Sequence, residues 1–382
     1  MSRRLSLLWI LLTGSIALLG PVVRAESPTA QSTVRSQNRY SAPTRPKDIL
    51  VQSPTPEIQA VRNEQPPVAE EGEIGKSLAP PESPAVNLAS LPPVGEALPT
   101  ATSWLEAQVA LARVGFSSGP IDGVPGPQTQ AALKAYQERE SIPATGALDA
   151  LTREHLVLVS PALTEVTVTE ADLARLQPLS PTWLGKSRQT RLDFSTILEL
   201  VAERSRASHK LVRRLNPEID WERVPAGTVV KVPSVPGVAV QGPVAELHIH
   251  LASRTLTARD ADRRVVAHFP VSIGREVAKR PVGLLQVTVV IPNPDYTFDP
   301  AVFVESEEGR ELGRRLVLPP GPNNPVGVAW IGLNRPGYGI HGTPSPEHVG
   351  RTESHGCFRL ANWDAETLLR LAWVGLPVMV EP

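Results

Sequence analysis

The stretch ELHIHLASRTLTARDADRRVVAHFPVSIG, residues 246–274, alternates apolar and polar residues over two runs that polar turn residues separate. Successive side chains of a β-strand point to opposite faces, so this alternation predicts two strands, each with one buried face. Further β-rich runs lie at residues 284–291 and 326–333, whereas residues 366–374 have helical spacing. Residues 244–382 are therefore predicted to form a mainly-β domain with a helix near its C-terminal end.

Residues 101–158 have the pattern of a small helical unit. Apolar residues recur at helical spacing in three segments, and glycine- and proline-containing turns separate them. The segments LARVGFSSGPIDGVPGPQTQAALKAYQ (111–137) and TGALDALTREHL (145–156) resemble the peptidoglycan-binding domain often found beside cell-wall enzymes. This resemblance implies a three-helix unit that binds peptidoglycan, and an unrelated helical bundle is the alternative.

Residues 190–235 form a second small unit. Two short helices are predicted around residues 197–201 and 211–215, and Asn216-Pro217 ends the second. PAGTVVKVP, residues 225–233, then predicts a short strand ended by proline. This order resembles a LysM-type module of α+β structure, which implies binding to glycans that contain N-acetylglucosamine. A degenerate copy that serves only as a spacer is the alternative.

The N-terminal 100 residues are predicted to carry an export signal and a tether. Two arginines precede an apolar run over residues 5–20, and Val23-Arg24-Ala25 is typical of a cleavage site, so residues 1–25 are interpreted as a signal peptide. An uncleaved membrane anchor is the alternative, and no second apolar segment approaches membrane length. Residues 26–100 are rich in proline and polar residues without hydrophobic periodicity, which predicts a disordered tether.

Cys357 is the only cysteine in the 382 residues. An unpaired cysteine in an exported chain indicates either a reactive thiol or a buried, inert side chain, and the count alone does not separate these. Its surroundings are the glycine-rich stretch GYGIHGTPSPEHVGRTESHGCFRL, residues 337–360, which holds three histidines. An imidazole can lower the pKa of a thiol and carry its proton, and consecutive N–H groups can face a developing oxyanion.

The same histidines leave two other interpretations open. Three histidines and one cysteine could bind zinc, but no pair has helical H-x-x-x-H spacing and no acidic general base is fixed nearby. No metal and no cofactor are therefore expected. His248 and His250 share one face of a predicted strand, where they would complete a metal site or merely lie on the surface. A structural histidine cluster in a surface loop is the other alternative.

Ile340-His341-Gly342-Thr343, Gly350 and the run Ser354-His355-Gly356-Cys357-Phe358-Arg359-Leu360 together resemble the YkuD-type L,D-transpeptidases, of the ErfK/YbiS/YcfS/YnhG-like kind. Two positions depart from that family's usual pattern. Arg280-Pro281-Val282-Gly283 stands where Thr-Pro-x-Gly is usual, and Phe358 follows the cysteine where Ile or Val is commoner. The resemblance covers residues 244–382 and implies a β-sandwich domain in the periplasm or at the cell wall.

The resemblance also implies a role for each residue of the motif. Cys357 would be the nucleophile, His341 the proton donor and acceptor, and the Gly342 carbonyl the group that orients His341. The backbone N–H groups of His355, Gly356 and Cys357 would form the oxyanion hole, with Ser354 and the His355 side chain ordering the loop. Arg359 would bind a substrate carboxylate, because guanidinium pairs with carboxylate in a bidentate manner. His355 is the histidine nearest to the cysteine in sequence, yet the pattern assigns the base to His341.

The implied reaction is acyl transfer on peptidoglycan. The thiolate attacks a tetrapeptide stem ahead of its terminal D-alanine, D-alanine leaves, and an amine of a second stem attacks the thioester to give a 3→3 cross-link. Water as acceptor would give an L,D-carboxypeptidase, and a lipoprotein lysine would give anchoring. A non-catalytic wall-binding scaffold is the alternative outside enzymes. Deletion of residues 101–235 is expected to spare activity on soluble tetrapeptide and reduce it on sacculi.

The implied partners are peptidoglycan stem peptides and glycan strands. The formal net charge of −1 gives no indication of a nucleic-acid partner. After cleavage of the signal, no stable membrane insertion is expected.

Overall fold

A computed structural model describes residues 99–303, 305–351 and 356–382 of the chain. The predicted signal peptide and nearly all of the predicted tether lie outside these ranges, as do Ser354 and His355. Within the described ranges, every helix is too short or too polar to cross a membrane.

The elements are numbered in chain order. The helices are α1 (Trp104–Arg113), α2 (Pro127–Arg139), α3 (Ala150–His155), α4 (Glu170–Ala174), α5 (Trp183–Ser187), α6 (Ile197–Arg204), α7 (His209–Leu215), α8 (Glu307–Leu312) and α9 (Asn362–Leu371). The strands are β1 (Leu163–Thr167), β2 (Val229–Pro233), β3 (Glu246–His250), β4 (Thr255–Arg259), β5 (Val265–Pro270), β6 (Gly283–Pro292), β7 (Tyr296–Phe298), β8 (Leu316–Leu318), β9 (Ala329–Leu333), β10 (Gly339–His341), β11 (Phe358–Arg359) and β12 (Pro377–Glu381). Short 3-10 turns lie at Val277–Lys279 and Pro346–His348.

The region upstream of the β domain is helical, as predicted. Ser103 caps α1 in a capping box, because its hydroxyl accepts from the Glu106 N–H while the Glu106 carboxylate accepts from the Ser103 N–H. α2 begins with Pro127, whose missing N–H costs nothing in the first turn. The buried faces of these helices enclose Leu111 and Leu133, both fully buried.

The second small unit, predicted at residues 190–235 and here called the middle unit, begins earlier in the chain than predicted. β2 pairs antiparallel with β1, from Leu163 opposite Pro233 to Thr167 opposite Val229. The predicted range 190–235 therefore omits the first strand of this unit. β1 is exposed at its last four positions, so it lacks the apolar alternation by which a strand is recognised. α6 and α7 pack beside the two strands, and the LysM-like interpretation stays a prediction.

Eight strands of the C-terminal domain form one mixed sheet, in the order β11-β10-β9-β6-β12-β3-β4-β5, and β7 pairs with β8 in a separate two-stranded sheet. β6 pairs with β12 through its first half and with β9 through its second, with a register shift between Val287 and Val289. The two edges of the sheet meet where Ser272 and Arg359 exchange backbone hydrogen bonds of 2.9 and 3.0 Å.

The predicted mainly-β domain with a helix near its end is confirmed in outline, but the predicted β-sandwich is corrected to one curled sheet. A sandwich has two separate sheets, whereas β6 runs through both halves here and bends at its register shift. The helix α9 begins at Asn362 rather than at residue 366, and Ala365 in its first turn is buried in the core of the sheet.

The upstream units share buried contacts with the C-terminal domain. Val265 of β5 belongs to the same apolar cluster as Phe116, and Leu192 packs with Phe298 of β7. The Ser117 hydroxyl donates to Asp364 of α9 at 2.8 Å, in a buried position. Deletion of residues 101–235 would therefore expose part of the core of the C-terminal domain. The effect of that deletion on activity stays a prediction.

The buried Asp364 predicts a pH-dependent stability. Burial raises the pKa of this carboxyl to about 7, against a partial opposing effect of Arg206. The unfolded chain ionises this group at lower pH than the folded chain, so its stabilising contribution is present below about pH 4 and is lost as pH rises through 7. Urea unfolding measures the effect of Asp364→Asn. As pH rises from 4 to 8, the free energy of unfolding of this variant should increase relative to that of wild type by on the order of 3 kcal/mol. A pH-independent difference would contradict this.

Candidate active site

Two short parallel strands set the positions of the candidate site residues. In the register of β10 and β11, His341 lies opposite Arg359 and Ile340 lies opposite Phe358. Ile340 and Phe358 are fully buried in the core. Because side chains alternate along a strand, His341 and Arg359 point away from that core. Cys357 lies two residues before Arg359 and reaches the same side of the sheet.

A cavity of about 920 Å³ lies over this side of the sheet. Cys357, His341 and Arg359 all line it. Aromatic side chains form much of the remaining wall, namely Trp183, Tyr296, Phe303, Trp330 and Tyr338. The volume is in the range of sites that enclose a small organic ligand or a short peptide. The structure therefore brings a thiol, an imidazole and a guanidinium together in one aromatic cavity.

The geometry of His341 leaves one ring nitrogen available as a base. Its Nδ1 lies 2.6 Å from the carbonyl oxygen of Gly342, and its ring stacks on Trp330 with centroids 5.6 Å apart. A carbonyl only accepts, so Nδ1 must carry the proton, and Nε2 of the neutral ring is then an acceptor. Burial lowers the pKa of His341 to about 4, so the imidazole is neutral at physiological pH.

Asn362 packs against Gly342, whose carbonyl orients His341. A Cβ atom added to Gly342 would lie 2.2 Å from the Asn362 Oδ1 atom, so a larger residue does not fit at this position. The Asn362 amide donates to the Pro322 carbonyl at 3.0 Å and is itself buried. Asn362 begins α9, two residues after the motif ends at Leu360, and no spacing in the sequence singles it out.

The Cys357 thiol is partly buried, and its Sγ atom lies 3.4 Å from the Gly337 carbonyl oxygen. Burial raises the pKa of this thiol above its usual value, although a backbone hydrogen bond and the positive charge of Arg359 act in the opposite direction. The sequence pattern suggested a lowered pKa, so the direction is opposite. Cys357 is therefore a protonated thiol at neutral pH and needs a base at the moment of attack.

The raised thiol pKa predicts how the alkylation rate of Cys357 depends on pH. Iodoacetamide reacts with the thiolate, and the thiolate fraction rises as pH approaches the raised pKa from below. The rate constant should rise about tenfold per pH unit between pH 6 and 8. Mass spectrometry of the alkylated chain measures it without background from other thiols. A rate plateau reached below pH 7 would instead reveal a preformed thiolate.

The other histidines of the motif lie apart from this cavity or outside the described residues. His348 lines a neighbouring cavity of about 300 Å³, together with Ser272 and Arg359. Ser354 and His355 fall outside the described ranges, so their roles stay predictions. Gly356 does line the main cavity, and Gly274 approaches it closely, because a Cβ at Gly274 would lie 3.1 Å from the Gly356 Cα.

His248 and His250 lie on one face of β3, as predicted, and Glu381 of β12 joins them. The ligand atoms of these three residues lie within 4.8 Å of one another. Each imidazole already has a carboxylate neighbour, with His248 2.9 Å from Glu246 and His250 3.0 Å from Glu381. None of the four lines the cavity that contains Cys357.

Comparison with protein families assigns two parts of the chain. Residues 245–380 match the family model YkuD, described as the L,D-transpeptidase catalytic domain. Residues 100–156 match the model described as "Putative peptidoglycan binding domain". The chain therefore carries a catalytic domain of the L,D-transpeptidase family preceded by a peptidoglycan-binding domain, and peptidoglycan is the substrate that these domains imply.

Individual relatives carry the same description. The chain is 26% identical to "Putative L,D-transpeptidase YkuD" of Bacillus licheniformis, over 48% of this chain and 93% of the relative. It is 31% identical to "Putative L,D-transpeptidase YqjB" of Bacillus subtilis, over 31% of this chain and 61% of the relative. Among solved structures, an L,D-transpeptidase from Mycobacterium smegmatis aligns at 18% identity and a TM-score of 0.29, over 42% of this chain and 76% of that one.

Proposed function

We propose that this chain is a cysteine L,D-transpeptidase that forms 3→3 cross-links in peptidoglycan. One observation carries the proposal: Cys357 and His341 line the same cavity, with the Gly342 carbonyl 2.6 Å from Nδ1 so that Nε2 is available as a base. A neutral imidazole and a protonated thiol in one cavity suit base-assisted nucleophilic attack.

In the first half-reaction, the Cys357 Sγ atom bonds to the carbonyl carbon that precedes the terminal D-alanine of a tetrapeptide stem. His341 Nε2 takes the thiol proton, and the tetrahedral intermediate forms. The C–N bond to D-alanine then breaks, and His341 returns the proton to the leaving amine. Since burial holds the pKa of His341 at about 4, its protonated form is a strong acid and gives up that proton readily. A thioester on Cys357 remains.

In the second half-reaction, an amine of another stem attacks the thioester. His341 takes the proton from that amine, the new amide bond forms, and the C–S bond breaks to regenerate the thiol. The backbone N–H groups of His355, Gly356 and Cys357 would stabilise both tetrahedral intermediates, with Ser354 ordering this loop. Arg359 lines the cavity and would bind a stem carboxylate.

The units upstream would hold the enzyme on its polymeric substrate. The peptidoglycan-binding domain raises the concentration of stems near Cys357, because a tethered second encounter is intramolecular. The middle unit, if it binds glycan as its LysM-like pattern suggests, would add to this effect. Such an enzyme would act in the periplasm or at the cell wall after export.

Intact-mass spectrometry with a tetrapeptide stem tests the proposal. Incubation without an acceptor should add the mass of the tripeptide acyl group to the protein and release D-alanine. Addition of an amine-bearing stem should discharge this adduct into a cross-linked product. A wild-type protein that neither gains the adduct nor releases D-alanine would refute the enzyme assignment and leave a wall-binding scaffold.

Product analysis separates the acceptors. Accumulation of free tripeptide despite excess amine would indicate an L,D-carboxypeptidase. Transfer only to a lysine side chain of a lipoprotein peptide would indicate anchoring. Cross-linked stems in excess over tripeptide are the expected outcome.

A further inference from the structure

The helix α5 lies outside the family's catalytic domain, residues 245–380, yet it contributes to the wall of the cavity around Cys357. The Trp183 ring stacks on Phe298 with centroids 4.3 Å apart and planes 14° from parallel. Phe298 in turn stacks on Phe303 at 5.3 Å. Trp183 and Phe303 both line the cavity. An upstream residue thus completes an aromatic wall that begins in the catalytic domain.

The catalytic domain holds α5 in a defined place. The Glu308 carboxylate of α8 accepts hydrogen bonds from the backbone N–H groups of Trp183 and Leu184, at 2.8 and 2.9 Å. The Thr182 hydroxyl caps the same helix by accepting from the Gly185 N–H at 2.9 Å. Leu184 packs against the cluster of Leu192, Phe298, Leu316 and Leu318. These contacts fix the Trp183 ring relative to the catalytic residues.

A second, smaller cavity shares lining residues with the first. It has a volume of about 300 Å³, and Trp183, Pro325 and Arg359 line both cavities. Lys186 lines the second cavity, with its Nζ atom 5.2 Å from the centre of the Trp183 ring. Among the described residues, those that line this cavity include two permanent cations and no carboxylate. The cavity therefore favours an anionic group.

We propose that α5 is part of the substrate site, with Trp183 a specificity-determining residue that packs against the bound stem and Lys186 a cation that binds a stem carboxylate beside Arg359. The ligand class is a carboxylate-bearing peptide, and the inference rests on the proposed transpeptidase function. The aromatic face suits the apolar part of a peptide, and an ammonium group pairs with a carboxylate as a point charge. The upstream region thereby selects the substrate as well as retaining it.

Steady-state kinetics on a soluble tetrapeptide tests this assignment. Trp183→Ala should raise KM about tenfold, and Lys186→Gln about fivefold, because stacking and a partly exposed ion pair each contribute on this scale. Matched controls are Trp373→Ala and Lys231→Gln, at exposed positions that line neither cavity. The alkylation rate of Cys357 in the two control variants should match that of wild type. KM values equal to those of the controls would overturn the proposal.

One further variant and one modified substrate distinguish loss of a substrate contact from loss of folding. Trp183→Phe keeps an aromatic ring on Phe298 and should recover most of the affinity that Trp183→Ala loses. The effect of Lys186→Gln should disappear on a stem whose carboxylates are amidated, and an unchanged effect would refute a carboxylate contact. If wild type releases no D-alanine, the transpeptidase function fails. Calorimetric binding of the stem then still decides whether Trp183 and Lys186 contact it.

Discussion

Cys357→Ser is expected to lower the rate of D-alanine release from a tetrapeptide by at least about a thousandfold, since it removes the nucleophile on which both half-reactions depend. The hydroxyl of serine has a far higher pKa than a thiol, so His341 removes its proton far less readily. The measurement is single-turnover release of D-alanine, with intact mass recorded in parallel.

The substitution should leave the fold intact, which makes it a clean test. Serine is close in size to cysteine, and Cys357 forms no disulfide. Stem binding measured by calorimetry should persist in the variant. Retention of more than one tenth of the wild-type rate would show that another residue is the nucleophile.

His341→Ala is the second substitution with a large expected effect. General base catalysis commonly contributes about 10²- to 10⁴-fold, so the acylation rate should fall by a factor in that range. His355→Ala should have a smaller effect on proton transfer, because its proposed contribution is a backbone N–H that alanine retains. Rates of acylation at pH 7, with both variants compared with wild type, distinguish the two histidines.

His250→Ala is the matched control for His341→Ala, because His250 pairs with Glu381 away from the cavity. An acylation rate that falls in His355→Ala but not in His341→Ala would reverse the assignment. Restoration of the His341→Ala rate by added imidazole would identify the missing group as a base rather than a structural support.

Two residues of the candidate site could be picked out from sequence because His341 and Cys357 are only 16 residues apart. The apolar pattern located β6 and β9, but the two strands predicted over residues 246–274 are three in the structure, β3, β4 and β5, and the short strands β7, β8, β10, β11 and β12 were not predicted. What local pattern does not contain is the pairing of distant strands. The sheet curls instead of forming a sandwich because β6 pairs in both of its halves and Ser272 pairs with Arg359. Neither pairing can be inferred from the local sequence.

Residues outside the motif that act on the site also escaped prediction. Asn362, two residues beyond the motif, blocks space beside Gly342, and Trp183 reaches the cavity from a helix about 170 residues before Cys357 in sequence. Neither belongs to a motif, so only the folded contacts reveal them. The direction of the Cys357 pKa shift was missed for a related reason: sequence shows the nearby imidazoles but not the burial that outweighs charge.

The contact between Phe116 and β5 has a consequence for solubility. β5 is the last strand in the order of the sheet. The N–H of His268 in β5 donates to the Gly115 carbonyl at 2.9 Å, and the His268 carbonyl accepts from the Ser117 N–H at 2.8 Å. An uncovered strand edge offers a template on which another chain can add a strand and aggregate. The peptidoglycan-binding domain thus also shields the catalytic sheet from intermolecular pairing.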